Sequence, residues 1–361
     1  MCLSTVKRMN AIWYHTPSAY GSEERLQGSL KKIADMGIKA LLAYVFQGSY
    51  ACYKSQILPV EKSFEKLDLL DALLKEAGML DLEVHATTVT LNVSNPDMKR
   101  NHKDWFVVSR LRQNCVDNPP YIPGYTWFCP SREEPIRFVL DYMAELAANY
   151  AITGVSLDYI RLPDIILPSA LRKNYNLPYE EQYFPQFDYC YCDVCRGKFH
   201  DSYGKDPLEI NPEGNSEMWH EWVQWRCDRI TEVVQGIKRT ITSQNGSIKL
   251  SAAIFPTPEL SKRYVFQDWA HWPLDFLCPM IYHSYYDQPL EWIETATREG
   301  VQALKGKPLM SGLHMAMMQA PGETSKAIQH AFKGGAQGIT VFAYPPSPWQ
   351  CQEIKESLKA Y

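Results

Sequence analysis

Short, almost wholly apolar runs alternate along the chain with longer stretches in which apolar residues recur every three or four positions. Runs apolar on both faces fit parallel strands covered by helices, and the three-to-four spacing is one buried face of a helix. The apolar runs predict strands at Ala11–His15, Ile38–Phe46, Leu82–Thr90, Gly154–Asp158, Lys249–Phe255, Phe276–Tyr282, Pro308–Leu313 and Gly338–Ala343. Helical patterns fall between them, at Glu23–Met36, Leu67–Ala77, Ser216–Thr242, Leu290–Leu304, Ser325–Lys333 and Pro348–Lys359, with Gly37 and Gly78 as stop signals. Another follows Ser131, where Ser131 and Glu134 have capping-box spacing and Ile136, Val139, Leu140, Met143 and Leu146 form the apolar stripe.

Eight strands alternating with helices predict an α/β fold, a single (β/α)8 barrel spanning residues 1–361, with long loops after strands three and four. An open doubly wound sheet is the rival, but no Gly-rich phosphate turn follows the first strand. The two long connections, Asn92–Pro130 and an insertion from Arg161 to Asn215, have the length at which loops carry function.

Composition narrows the role. A net charge of -4, with basic residues only in isolated pairs such as Lys31-Lys32, argues against nucleic acid as a partner. No run of about 18 apolar residues occurs, so no membrane span is expected. Met1–Asn10 lacks the apolar stretch of a secretory signal, which leaves the compartment and the oligomeric state open. Tyr and Trp are plentiful, at 22 and 10, as sugar-stacking platforms or as barrel filling.

In such barrels, the C-terminal ends of the strands form the active-site mouth. Trp13, His15, Asp158, Arg161, Tyr282, His283 and His314 fall at predicted strand ends, and His85 lies on strand three. Asp158 ends an apolar run, where a carboxylate needs a partner, and Arg161 is the near candidate. A salt bridge that merely pins the strand to its loop is the alternative. The histidines, together with Trp13 and Tyr282, would line a site for a polar, hydroxyl-rich ligand.

Leu82-Glu-Val-His-Ala86, His102-Lys-Asp-Trp105, Cys129-Pro-Ser131 and above all Gly154-Val-Ser-Leu-Asp-Tyr-Ile-Arg-Leu-Pro163 resemble blocks of the glycosyl-hydrolase-like family 10. Gln267-Asp-Trp269 and Asp275-Phe-Leu-Cys-Pro-Met-Ile-Tyr282 are similar to further blocks, in the expected order. The resemblance implies carbohydrate hydrolysis with Asp158 at the centre. Strand four also resembles that of family 18 chitinases, but Ser156 and Ile160 stand where that motif has its first aspartate and its glutamate.

Glycoside hydrolysis ordinarily uses two carboxyl groups. Asp268, beside Trp269, is the first candidate for the second, acting as general acid to Asp158 as nucleophile or electrostatic stabiliser; Asp164 and Asp287 stand behind it. An exposed helix cap is the plain alternative for Asp268. Asp275 precedes strand six and should face the opposite end of the barrel.

Three of the ten cysteines, Cys190, Cys192 and Cys195, lie within six residues, a crowding that fits a metal site better than a disulfide framework. A redox or iron centre and plain buried thiols are the alternatives to zinc. The loop is similar to the zinc loop of family 42 β-galactosidases, with Phe199 and Tyr203-Gly204 following the cysteines. That resemblance implies Cys129, ahead of Pro130, as the fourth ligand in preference to Cys115. Four sulfurs would close the shell and make the zinc structural.

These readings combine as a hydrolase of oligo- or polysaccharides. A carbohydrate-binding barrel without turnover is the rival from another class, and a catalytic metal is a third reading.

Overall fold

The computed structural model describes residues 8–212, 216–342 and 344–361. Residues 1–7, Asn215 at the end of the expected insertion and position 343 at the end of the eighth predicted strand lie outside the described residues. Eight strands form the centre: β1 (Ala11–Tyr14), β2 (Ala40–Phe46), β3 (Glu83–Val89), β4 (Gly154–Asp158), β5 (Lys249–Ile254), β6 (Phe276–Pro279), β7 (Met310–His314) and β8 (Gly338–Phe342). Every neighbouring pair is parallel, and β1 pairs with both β2 and β8. Single parallel bridges Leu277↔Leu309 and Met280↔Gly312 join β6 to β7. The sheet therefore closes as a (β/α)8 barrel.

Alternation along each strand sorts the side chains between two cores. Ala11, Trp13, Leu42, Tyr44, Val89, Phe276, Cys278 and Met310 fill the barrel interior. Ile12, Leu41, Ala43, Val45 and Leu157 point outward onto the helices. The long helix Glu217–Gln244 buries Trp222, Trp225, Ile230, Val234, Ile237 and Ile241 on one stripe, and Ser216 caps it by accepting from the Trp219 N–H. Among the described residues no helix is long and apolar enough to cross a membrane.

Two local expectations change. The helix Glu133–Asn149 has Arg132 at its N-cap without a side-chain cap, and Ser131 Oγ is buried without a partner. The turn at Cys129–Arg132 holds Ser131 one residue too early to reach the helix, so the Ser131/Glu134 box does not form. β6 stops at Pro279, because the next residues pair with β5 and β7 only through Met280 and Ile281 before a short 3-10 turn. Tyr282 and His283 thus belong to the loop beyond the strand.

Candidate active site and cysteine centre

Asp158 is the last residue of β4, in register with Val89 of β3, and is 8% exposed. It does not pair with Arg161. Its Oδ2 accepts the Tyr44 hydroxyl at 2.6 Å, and its Oδ1 accepts the Tyr159 N–H at 2.8 Å. Tyr159 takes the left-handed backbone region (φ 50°), which turns the chain sharply past the carboxylate. Burial raises the pKa of Asp158 above the usual carboxylate range, against the opposing pull of Tyr44, the Tyr159 N–H and the nearby Arg161 and His15.

Arg161 pairs instead with Asp164, at 2.8 Å, and both are almost wholly buried. Nη1 also donates to the Leu162 carbonyl, and the guanidinium lies 5.0–5.5 Å from the ring centres of Trp127, Tyr159 and Phe255. The sequence spacing made Arg161 near to Asp158 along the chain. The turn at Tyr159 sends it to a different partner.

A cleft of about 580 Å³ opens over Asp158 at the C-terminal mouth, a size suited to a small ligand. Trp13, His15, Arg161 and Tyr282 are among its lining residues. His15 stacks on Tyr44 at 4.5 Å between ring centres. Asp158 and Asp164 are the carboxylates of the described lining. Tyr121, Tyr125 and Tyr175, from the loops after β3 and β4, add to a wall of rings.

Three expected site residues stand elsewhere. His85 begins two residues into β3, opposite Gly154, at the N-terminal end of the barrel, where its Nε2 meets Glu83 at 3.2 Å and burial lowers its pKa. A Cβ on Gly154 would lie 2.2 Å from His85 Nδ1, so the glycine makes room for the ring. With Glu83 also bound to Lys249, His85 fills the barrel floor and does not reach the mouth. His283 sits in the loop after β6 with Nε2 3.2 Å from Ser284 Oγ and is not among the lining residues. His314 ends β7 and packs behind the lining, 4.9 Å from Phe342 and 5.1 Å from Tyr282.

Asp268 is outside the cleft as well. It faces Gln224 of the long helix at 3.3 Å, Lys262 at 3.8 Å and His271 at 3.5 Å. The helix Pro258–Val265 carries it around to the outer layer, so nothing brings it to Asp158. Asp287 is exposed and bonds Tyr179. Asp275 accepts the Leu250 N–H at 2.7 Å, at the start of β5 and β6 and so away from the mouth.

Tyr44 is the main residue that sequence reasoning missed. Its signal was a phenol at an inward position of an otherwise apolar strand, two residues after Leu42. Asn92, also in the lining, is buried with Nδ2 unpartnered.

Cys129, Cys190, Cys192 and Cys195 are buried with their sulfurs all within 4.8 Å of one another. Cys129 Sγ lies 3.6 Å from Cys192 Sγ and 3.4 Å from Cys195 Sγ, far from the roughly 2.05 Å of a disulfide. Four sulfurs at about 2.3 Å from one tetrahedral ion would be about 3.8 Å apart, so the donor set fits a metal. The Val108 N–H donates to Cys190 Sγ at 3.4 Å, as expected around a thiolate. Cys115 stands apart against the Trp127 carbonyl, and burial pushes it, Cys227 and Cys278 up to about 12. None of the four clustered cysteines lines the cleft.

The insertion they hold is tied to the barrel by a second anchor. Asp188 is fully buried, pairs with Arg226 and accepts the Tyr191 hydroxyl at 2.5 Å and that of Tyr183 at 2.7 Å. Arg226 is stacked by Trp222 and Phe266. The loops that supply Tyr121, Tyr125 and Tyr175 are thereby held against the mouth.

Fold and cleft together define a (β/α)8 barrel with a buried carboxyl at the C-terminal end of its fourth strand. The chain belongs to the glycosyl hydrolase-like 10 family, whose model matches residues 3–321. Among curated proteins, none matches it by sequence. Among solved structures it is similar to the PgaB (BpsB) glycoside hydrolase domain from Bordetella bronchiseptica, at 12% identity and a TM-score of 0.71, over 97% of this chain and 98% of that one. The catalytic domain of β-amylase from Paenibacillus polymyxa is also similar, at 12% identity and a TM-score of 0.69, over 98% of each chain. A β-galactosidase from Bacillus circulans sp. alkalophilus matches at 14% identity and a TM-score of 0.66, over 98% of this chain and 56% of that one.

Proposed function

We propose that the protein is a glycoside hydrolase of oligo- or polysaccharides in which Asp158 protonates the departing glycosidic oxygen. The observation that carries this reading is the burial of Asp158 beneath an aromatic cleft, which favours its protonated form. A carboxyl whose proton affinity is raised is what a general acid requires. The acid role therefore passes from Asp268, which bonds to the outer layer, to Asp158. Asp164, held against Arg161, is the carboxylate that would attack the anomeric carbon or activate water. Tyr121, Tyr125 and Tyr175, half-buried along the cleft wall, offer ring faces for a pyranose above a floor of Trp13 and Tyr282, with His15 and Arg161 as donors to its hydroxyls. The family and the glycosidases among the similar folds support the carbohydrate-hydrolase part of this reading.

The test is hydrolysis of a panel of aryl glycosides and polysaccharides by the protein and by Asp158→Asn. Turnover lost with binding kept supports the enzyme. One observation favours the rival reading of a sugar-binding barrel: Asp164 is neutralised by Arg161, leaving Asp158 as the single unpaired carboxyl of the described lining. Binding of a glycan with no hydrolysis of any by the unaltered protein would establish that reading instead.

The four-sulfur centre is read as structural zinc, held by Cys129, Cys190, Cys192 and Cys195. A zinc ion bound there would supply a cross-link with no open position for water. Metal analysis of the purified protein tests its identity.

A further inference from the structure

A second cavity, of about 780 Å³, lies between the helices Glu23–Asp35 and Pro348–Ala360 and the loop after β8. His15 lines both this cavity and the cleft over Asp158, so the two adjoin at that side chain. Among the described residues its charged lining is Arg25, Lys32 and Lys355 against the single carboxylate of Asp35. None of the three cations has an ion-pair partner among the described residues. In a chain with net charge -4, a concave region with a positive excess is a departure that needs a reason. Tyr344 presents a pre-set ring to the same space, fixed by its hydroxyl 2.6 Å from buried Ser29 Oγ and by edge contact with Tyr14 at 5.4 Å. Proline rings from Pro345 and Pro346 extend that apolar face.

An aromatic and proline floor suits the apolar face of a sugar ring, and unpaired cations at its rim suit a carboxylate or sulfate carried on that ring. We infer that this cavity is a distal subsite for an acidic glycan, whose chain passes from the Asp158 cleft over His15 and sets its anionic groups against Arg25, Lys32 and Lys355. The inference rests on the hydrolase reading for the identity of the ligand as a glycan and deepens it by naming the class of polysaccharide.

The experiment measures binding by titration calorimetry to hexamers of polygalacturonate, alginate and hyaluronan, and to the neutral hexamers of cellulose and chitin. It uses Asp158→Asn, to prevent turnover, with and without the added exchanges Lys32→Glu and Lys355→Glu. At least one acidic hexamer should bind more tightly than the neutral ones and weaken as salt is raised from about 0.05 to 0.5 M. The charge reversals should cost that hexamer about tenfold or more, which is 1.4 kcal/mol, while thermal unfolding stays unchanged. Equal binding of acidic and neutral hexamers, or indifference to the reversals, overturns the inference. Hydrolysis of aryl monosaccharides by the Lys32→Glu/Lys355→Glu protein separates the two claims, because the small substrate reaches the cleft alone. Retained hydrolysis with no acidic preference removes the subsite and leaves the hydrolase; acidic binding without any hydrolysis removes the hydrolase and leaves the subsite.

Discussion

Tyr44→Phe removes one oxygen from the interior of the barrel and nothing else. That oxygen donates to Asp158 at 2.6 Å, and Tyr44 and Asp158 are 6% and 8% exposed, so no solvent replaces the lost bond readily. A hydrogen bond to a charged group contributes about 1.5–3 kcal/mol, whereas one to the neutral acid contributes about 0.5–1.5 kcal/mol. The bond thus favours the carboxylate, and its loss raises the proton affinity of Asp158 further, by as much as roughly tenfold for each 1.4 kcal/mol of difference. If Asp158 is the general acid, the alkaline limb of the kcat/KM profile moves to higher pH in Tyr44→Phe. Were it the nucleophile, the acidic limb would move instead, because the ionised form would be the active one. A profile in which neither limb moves refutes the reasoning.

A second assay needs no substrate. Burial sets the folded pKa of Asp158 above that of the unfolded chain, so its contribution to stability is fully present below the unfolded value of about 3.9. That contribution is lost as pH rises through the folded value. Tyr44→Phe should therefore lower the unfolding midpoint more at alkaline than at acidic pH, because only the ionised carboxyl loses the stronger bond. An equal drop at both ends of the range contradicts the assignment of the charge.

Asp158→Asn should reduce hydrolysis roughly 100- to 10,000-fold, yet raise the unfolding midpoint in alkaline solution, where the carboxyl has to ionise against its burial; calorimetry and a glycoside assay check the two together. Cys129→Ser should leave three sulfurs, lower the bound metal measured by plasma mass spectrometry and destabilise the insertion, seen as earlier proteolysis near residues 161–212. Asp268→Asn should keep hydrolysis within about twofold, because the residue contacts Gln224, Lys262 and His271 rather than the cleft; a loss beyond tenfold would return it to the site. Gly312→Ala should raise KM, because a Cβ there would stand 2.6 Å from the Pro279 carbonyl and 2.8 Å from the Trp13 ring, at an overpacking cost of about 1–3 kcal/mol. The shift in Trp13 would show in the intrinsic fluorescence, and an unchanged KM would contradict its place at the floor of the sugar site.

The strand–helix alternation was legible because a parallel strand inside a barrel is buried on both sides and leaves an uninterrupted apolar run. β4, at Gly154–Asp158, could be read residue for residue, since its polar end is also its chemical end. The cysteine group was legible for a similar reason: three thiols within six residues have few structural uses, and only the partner from a remote segment required outside information. Local pattern thus determines which elements exist, which face each buries, and which chemical groups sit at their ends.

Pairing between distant segments was decided in three dimensions. His85 reads like any polar residue on a strand until the register sets it opposite Gly154, at the floor rather than the mouth. Arg161 lies three residues from both Asp158 and Asp164, and the left-handed turn at Tyr159 selects Asp164. Asp268 sits beside a tryptophan in a plausible block, but a short helix swings it to the outer layer. Tyr44 meets Asp158 across 114 positions of sequence. Such contacts depend on where closure of the ring brings each strand end, and a one-dimensional pattern carries the period of a strand but not the angle at which its neighbours meet it.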